Sequence, residues 1–243
     1  MDASDGFQAM DEFPTLKEVT QQGRDRLLPS LTNPNWLVLR ERRIIFKRWL
    51  AQLTSNQLEV LDVGGRIQPY RSLIEHRIHR YVALDVRVTP LVNAVARGEY
   101  IPVGNAKFDL VICTQVLEYV VQPSLIFAEI HRVLKPDGVL LLSVPSAGPT
   151  DAAEEYWRFL PAGIRYLLSD FARVEIVAEG SSVAGLFRTV NTCLDTFARY
   201  PAARFIYRRT VAPLMNLTGA LAEAISGRRN QQFAVNYSVL ARK

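Results

Sequence analysis

Val60-Leu-Asp-Val-Gly-Gly-Arg-Ile-Gln-Pro-Tyr70 is the stretch on which the fold turns. With the preceding Leu58 and Glu59 it forms a short, mostly apolar run to Val63, suited to a strand buried on both faces. Gly64 and Gly65 follow at once, and glycine there lets the chain turn sharply and lets a ligand approach bare backbone. Pro69 suits the first turn of a helix over 69–74. Strand, glycine turn and helix is how open α/β sheets build a nucleotide site at the carboxyl ends of their strands. The dinucleotide fingerprint Gly-x-Gly-x-x-Gly is incomplete, because Arg66 stands at the second glycine and no third follows. A glycine pair alone is also an ordinary tight turn. The next apolar run, Arg80-Tyr-Val-Ala-Leu-Asp85, adds weight. It ends in an acid about twenty residues on, where a carboxylate accepts hydrogen bonds from ribose hydroxyls.

Further out, Phe108-Asp-Leu-Val-Ile-Cys-Thr-Gln-Val-Leu-Glu-Tyr119, Glu129-Ile-His-Arg-Val-Leu-Lys-Pro-Asp-Gly138 and Leu140-Leu-Leu-Ser-Val-Pro145 follow in order. With the first two runs, these motifs resemble class I S-adenosylmethionine-dependent methyltransferases of the small-molecule type. The resemblance covers about residues 58 to 180 and resumes at Asn236-Tyr-Ser-Val-Leu-Ala-Arg-Lys243. It implies an α/β fold, a Rossmann-like, doubly wound, mostly parallel seven-stranded sheet with an antiparallel last strand. Phe233, Val235, Tyr237 and Val239 alternate with polar or small residues, as such a strand would. The expected division is an N-terminal arm and helix acting as a lid over 1–53, a cofactor-binding core over 54–182 plus 231–243, and a helical insertion or cap over 183–230. Trp36 to Leu53 reads as helix, as do Pro123–Leu134 and Ala162–Phe171. Leu91–Ala96 reads as a third strand or its remnant, Val139–Val144 as a fifth strand and Val174–Glu179 as a sixth. The insertion reads as helix broken near Pro201 and Pro213.

The resemblance implies S-adenosylmethionine as cofactor. The residues it assigns to that cofactor are Asp62, Gly64, Gly65, Arg66, Asp85, Val86, Glu99, Cys113, Thr114 and Gln115. Members of the family usually carry an acid near Arg97 for the adenine amino group. Arginine has no acceptor, so adenine recognition falls to backbone groups or to Glu99. Thr114 to Tyr119 leaves a strand's carboxyl end and so lines the cleft, although the same side chains could open a helix towards solvent. Asp151-Ala-Ala-Glu-Glu-Tyr-Trp-Arg-Phe-Leu-Pro161 resembles a "DYWRFTP" segment of methyltransferases in glycan and lipid pathways. Tyr119, Tyr156, Trp157 and Arg158 are therefore candidates for the methyl acceptor: rings to stack and a guanidinium for a phosphate or carboxylate. The plainer alternative is that Trp157 and Phe159 anchor the next helix.

Methyl transfer from a sulfonium is a direct displacement, so the protein mainly supplies alignment and a dry site. An oxygen or nitrogen acceptor can also need a general base. No histidine falls in a cleft loop; His76, His79 and His131 read as surface residues. The catalytic candidates are Glu118, Asp151 and Glu155, with Glu154 beside them. No metal site is expected. Two cysteines, Cys113 and Cys193, give neither a disulfide framework nor a metal cluster.

The chain has 243 residues, is 49% hydrophobic and carries a net charge of +5. Its N-terminus shows no signal peptide and no apolar run is long enough to span a bilayer, so the expected location is cytoplasmic. Basic residues cluster in two places: Arg40, Arg42, Arg43, Lys47 and Arg48, and seven arginines between Arg188 and Arg229. Such runs attract nucleic acid, anionic lipid or a phosphorylated substrate, or are simply solvated helix faces. Val211 to Leu221 is apolar yet interrupted, and reads as a helical cap or an interfacial segment making peripheral membrane contact.

The leading expectation is methyl transfer to a small-molecule, sugar or lipid-linked acceptor. The alternatives are a non-catalytic methyltransferase-like binding module, motivated by Arg66 and Arg97, and an RNA methyltransferase, motivated by charge alone. Nucleic acid is not the expected partner: no Asn-Pro-Pro-Tyr follows the fourth strand, as base-methylating relatives would have. The missing glycines and reversed last strand argue against a nicotinamide-dependent oxidoreductase.

Overall fold

A computed structural model describes residues 13–150, 154–227 and 230–243. Seven strands form one sheet: β1 (Leu58–Val63), β2 (Ile78–Asp85), β3 (Ala94–Val95), β4 (Phe108–Thr114), β5 (Leu134–Pro145), β6 (Arg173–Ala178) and β7 (Asn236–Arg242). Their order is β3-β2-β1-β4-β5-β7-β6. β1 through β5 pair in parallel, while β7 runs antiparallel to both β5 and β6. The strand order turns back between β1 and β4, which is where an open α/β sheet forms its crevice.

Side chains alternate between two cores along each central strand. Leu61, Val63, Val111, Cys113, Leu140 and Leu142 face one core, with Ile126, Ile130 and Phe171 beyond them. Val60, Leu110, Ile112, Val139 and Leu141 face the other, against Phe46, Trp49 and Tyr70. The first core packs on α3 (Pro123–Val133) and α4 (Pro161–Leu167), both opened by a proline in the first turn. The second packs on α2 (Trp36–Leu50).

α1 (Leu16–Leu27) begins with a capping box: Glu18 N donates to Thr15 Oγ1 at 3.3 Å, and Thr15 N donates to Glu18 Oε2 at 2.8 Å. α5 (Ser182–Phe197) and α6 (Pro201–Ser226) pack together as a helical hairpin joined by three residues. Both touch α2.

Several elements depart from the sequence expectation. No α-helix follows the glycine turn; two 3₁₀ turns, Arg71–Leu73 and Glu75–Arg77, fill the link. β2 begins immediately afterwards, and Arg77 is held by the carbonyls of Leu50, Leu53 and Ser55, so the chain has no room to coil further. The third strand shrinks to two residues, because Asn93 spends its backbone N–H and its side chain on Ala83. The Pro136-Asp-Gly138 segment, which falls between the helix and the fifth strand as read from sequence, lies inside β5 at a register irregularity, with Asp137 at φ +62°. Pro213 does not break α6, which runs through it. Its missing N–H and its ring cost about 3 kcal/mol in a helix interior. Burial of Ala212, Asn216, Gly219 and Glu223 around it opposes that cost.

The basic run on α2 is only partly open: Lys47 and Arg48 are exposed, but Arg42 is not. Arg42 is fully buried and makes a two-pronged contact with Glu179, at 2.9 Å on each arm. Burial pulls the Arg42 guanidinium down, but the Glu179 carboxylate outweighs it and holds the side chain firmly charged.

Candidate functional site

The carboxyl ends of β1, β2 and β4 open into a cleft of about 560 Å³. Gly64, Arg66, Asp85, Val86, Glu99 and Gln115 line it, as do Glu118 and Tyr119. These are eight of the residues singled out from sequence. Arg97, the residue in place of the family's acid, is also on the wall, next to Glu99.

The glycine pair serves the turn itself. The N–H groups of Gly64 and Gly65 both donate to Leu84 O, at 2.8 and 3.1 Å. Gly64 sits at φ +79°, and a Cβ there would lie 2.2 Å from Val116 Cγ2. Glycine thus lets the turn after β4 close over the turn after β1. A Cβ on Gly65 would meet the Asp62 carboxyl at 2.8 Å. Asp62 itself is buried beneath the turn, accepting from Tyr81 Oη at 2.6 Å. Burial pushes its carboxyl up to about 7, against the pull of the Tyr81 hydrogen bond.

Cys113 is wholly buried in the sheet, its thiol pushed up by burial and by the nearby carboxylates, so its side chain cannot meet a ligand. Thr114 is half-buried at the end of β4, paired in register with Ser143. Gln115 takes a left-handed backbone, φ +54°, which non-glycine residues seldom adopt. Its amide N donates to Ser143 O, and its side chain joins Ser143 and Asn236. Ser143 and Ser238 donate in turn to Glu179, the partner of Arg42. The floor of the cleft is thereby tied to α2.

Glu118 is the most unusual carboxyl in the cleft. It is buried, yet its Oε2 finds no hydrogen-bond partner among the described residues. Burial raises it to about 7, partly offset by Arg26 and Arg42. Arg26, at the end of α1, lines the same cleft with its Nε enclosed and likewise unpartnered. Burial and the charge of Arg42 lower its pKa. Sequence reading gives Arg26 no role, because it lies in the segment expected as an arm or lid; the Thr15-x-x-Glu18 box was the available signal.

The segment carrying the acceptor candidates is pinned beside Glu118. Tyr156 N donates to Glu118 O at 2.7 Å, and Trp157 Nε1 donates to Val120 O at 2.7 Å. Tyr156 and Trp157 keep much of their rings exposed, while Phe159 is buried in the core. Glu155 and Arg158 are paired at 2.7 Å. Glu154 lines the cleft. Asp151 lies outside the described residues. His76 and His79 are exposed, and His131 packs edge-on against Phe171. Among the described residues no group of three or more His, Cys, Asp and Glu is placed to hold a metal ion.

Residues 61–142 match the methyltransferase domain family. These matched residues carry a methyltransferase domain of the class I S-adenosylmethionine-dependent type. This methyltransferase domain is similar to the malonyl-[acyl-carrier protein] O-methyltransferase of Marinomonas sp. (strain MWYL1), at 26% identity over 132 residues, covering 48% of this chain and 49% of that protein. It is also similar to the ubiquinone biosynthesis O-methyltransferase of Pseudomonas aeruginosa (strain LESB58), at 30% identity over 93 residues, covering 38% of this chain and 35% of that protein. The match thus spans about half the length of the first curated relative and about a third of the second. Among solved structures, the Haemonchus contortus phosphoethanolamine N-methyltransferase 2 with S-adenosyl-L-methionine has the same fold. Its TM-score is 0.55 at 14% identity, covering 91% of this chain and 60% of that one.

The cofactor of this methyltransferase domain is S-adenosylmethionine, and the residues present fit it. Asp85 closes β2 at the cleft, with Oδ1 accepting from Arg87 N at 2.8 Å, and offers a carboxylate to ribose hydroxyls. The enclosed, unpartnered Nε of Arg26 suits the carboxylate of an amino-acid end.

Proposed function

We propose that this chain transfers a methyl group from S-adenosylmethionine to an oxygen of a small-molecule acceptor. The observation carrying this reading is that one cleft holds both Asp85, the strand-end acid, and Glu118, a buried carboxyl with an open oxygen. Both named relatives are O-methyltransferases, which supports oxygen as the atom methylated.

When bound, S-adenosylmethionine supplies a methyl group already activated on sulfonium sulfur. Asp85, Glu99 and Arg26 hold the cofactor, and Gln115 orients its amino-acid end. Tyr119, Tyr156 and Trp157 face the acceptor, their exposed rings shaping its approach. Glu118 Oε2 would take the proton of the acceptor hydroxyl whose oxygen receives the methyl group that the cofactor would supply. A carboxyl held near 7 is suited to this, because it is largely ionised in mildly basic solution yet still basic enough to accept the proton.

The test is label transfer from methyl-labelled S-adenosylmethionine to a panel of phenols, carboxylic acids and thioester-linked acids, with wild type and Glu118→Gln. The expected loss in kcat for hydroxyl acceptors is about 10²–10⁴-fold, the range of general-base catalysis. Cofactor affinity should stay within about twofold. Unchanged kcat in Glu118→Gln would remove it as the base. No transfer to any oxygen acceptor, with a nitrogen or carbon acceptor turned over, would overturn the oxygen assignment.

A further inference from the structure

We infer that the α5–α6 hairpin is a docking surface for an anionic phospholipid membrane, against which the protein lies without crossing it. α6 is 26 residues long, about 39 Å at 1.5 Å per residue. Its inner side is buried through Ala212, Asn216, Gly219 and Glu223. By the 3.6-residue period, Ile206, Leu214, Leu217, Leu221 and Ile225 share the opposite side. All five are more than half exposed, Ile225 at 79%. α5 repeats the pattern: Ala184, Gly185, Asn191 and Thr192 are buried, while Leu186, Val190, Leu194 and Phe197 are exposed, Phe197 at 75%. Both helices rest on α2 and on each other, so each apolar stripe lies on the outer side of its helix. Exposed apolar surface of this extent marks an interaction site.

The charge on the hairpin selects the occupant. Residues 182–226 hold five arginines and two acids, Asp195 and Glu223. Glu223 is buried and accepts from Ser181 N at 2.7 Å. Asp195 is engaged by Arg208 at 2.7 Å. Arg199, Arg204, Arg208 and Arg209 gather with Phe205 and Thr32 around a hollow of about 400 Å³ at the hairpin tip. Arg204 and Arg209 lie on opposite flanks of the apolar stripe, each about 100–120° from its centre. This is the arrangement of an interfacial helix: apolar residues in the acyl boundary, and basic residues at its edges reaching up to phosphates. A second copy of the hairpin fits less well, since the face offers no free acid to meet the arginines. No helix among the described residues is long and apolar enough to cross a membrane, so the contact is a surface one.

The experiment is flotation of the full chain with vesicles of phosphatidylglycerol and phosphatidylcholine, against vesicles of phosphatidylcholine alone. Wild type should float with the anionic vesicles only, and less so as salt rises. Leu217→Asp/Leu221→Asp should abolish flotation. Arg204→Glu/Arg209→Glu should weaken it by at least about tenfold. Both variants change exposed residues, so far-UV circular dichroism and cofactor affinity should match wild type, separating this result from loss of fold. Failure of wild type to float would overturn the inference. So would equal flotation of both variants, or sedimentation showing a dimer that Leu217→Asp/Leu221→Asp dissolves. Retention on RNA with no vesicle binding would overturn it in favour of a nucleic-acid face.

Discussion

At the level of single residues, Glu118 and Gly64 carry the most direct consequences. Glu118 must lose its proton to act as a base, so the log of kcat/KM for a hydroxyl acceptor should rise with pH and level off above about 7. A pH–rate profile checks this; in Glu118→Gln the rise through 7 should disappear from the residual activity. Gly64 meets two constraints at once, a left-handed backbone and the 2.2 Å approach of Val116. Gly64→Ala should destabilise the protein by about 1–3 kcal/mol, read from the urea midpoint. Val116→Ala should cost less in that background than in wild type, because it removes the clash. The glycines at 64 and 65 were legible as a turn from sequence. The approach of Val116 was not, since it reaches Gly64 only through the pairing of β1 with β4.

At the level of elements, α2 is locked to the far half of the sheet by the buried Arg42–Glu179 pair. Removing one partner strands the other charge in the interior. Arg42→Met should therefore cost about 3–5 kcal/mol, and Arg42→Met/Glu179→Gln should recover much of that loss in a denaturation series. The strands were legible because each central one is a short apolar run sealed on both faces. The helices were less so. α1 places only Val19, Gly23 and Leu27 inward among charged neighbours, too thin a pattern to read without its capping box. α2 buries Arg42 and Glu41 as well as its apolar side, which blurs the 3.6-residue stripe. Pro213 reads as a break, yet α6 continues through it because its buried side is fixed on both sides of the proline.

At the level of the whole molecule, the two raised carboxyls couple stability to pH. Asp62 and Glu118 stay protonated to about 7 in the folded protein, above their usual values of 3.8 and 4.5. The folded state therefore binds more protons than the unfolded one across that window, and their contribution to stability is lost as pH rises through it. His131, whose protonated form is disfavoured by partial burial and by Lys243, acts in the opposite sense. The comparison of wild type with Asp62→Asn isolates the first effect: between pH 5 and 8 the urea midpoint of wild type should fall relative to that of the variant. The chain's architecture, with the ends of β1, β2 and β4 feeding one cleft, was readable because those motifs are local strand ends. What was not readable joins distant segments: Arg26 of α1 lining the same cleft as Glu118, and the 155–158 segment hanging from the 118–120 turn.

The most direct test of cofactor-dependent methyl transfer is calorimetric titration of the full chain with S-adenosylmethionine and S-adenosylhomocysteine, with NAD as control. Micromolar binding of the first two and none of NAD is the predicted result, weakened at least about tenfold in Asp85→Ala, as expected for loss of a carboxylate that holds ribose hydroxyls. Absence of binding by both S-adenosyl compounds would contradict the assignment of the cleft and leave the fold as a binding scaffold.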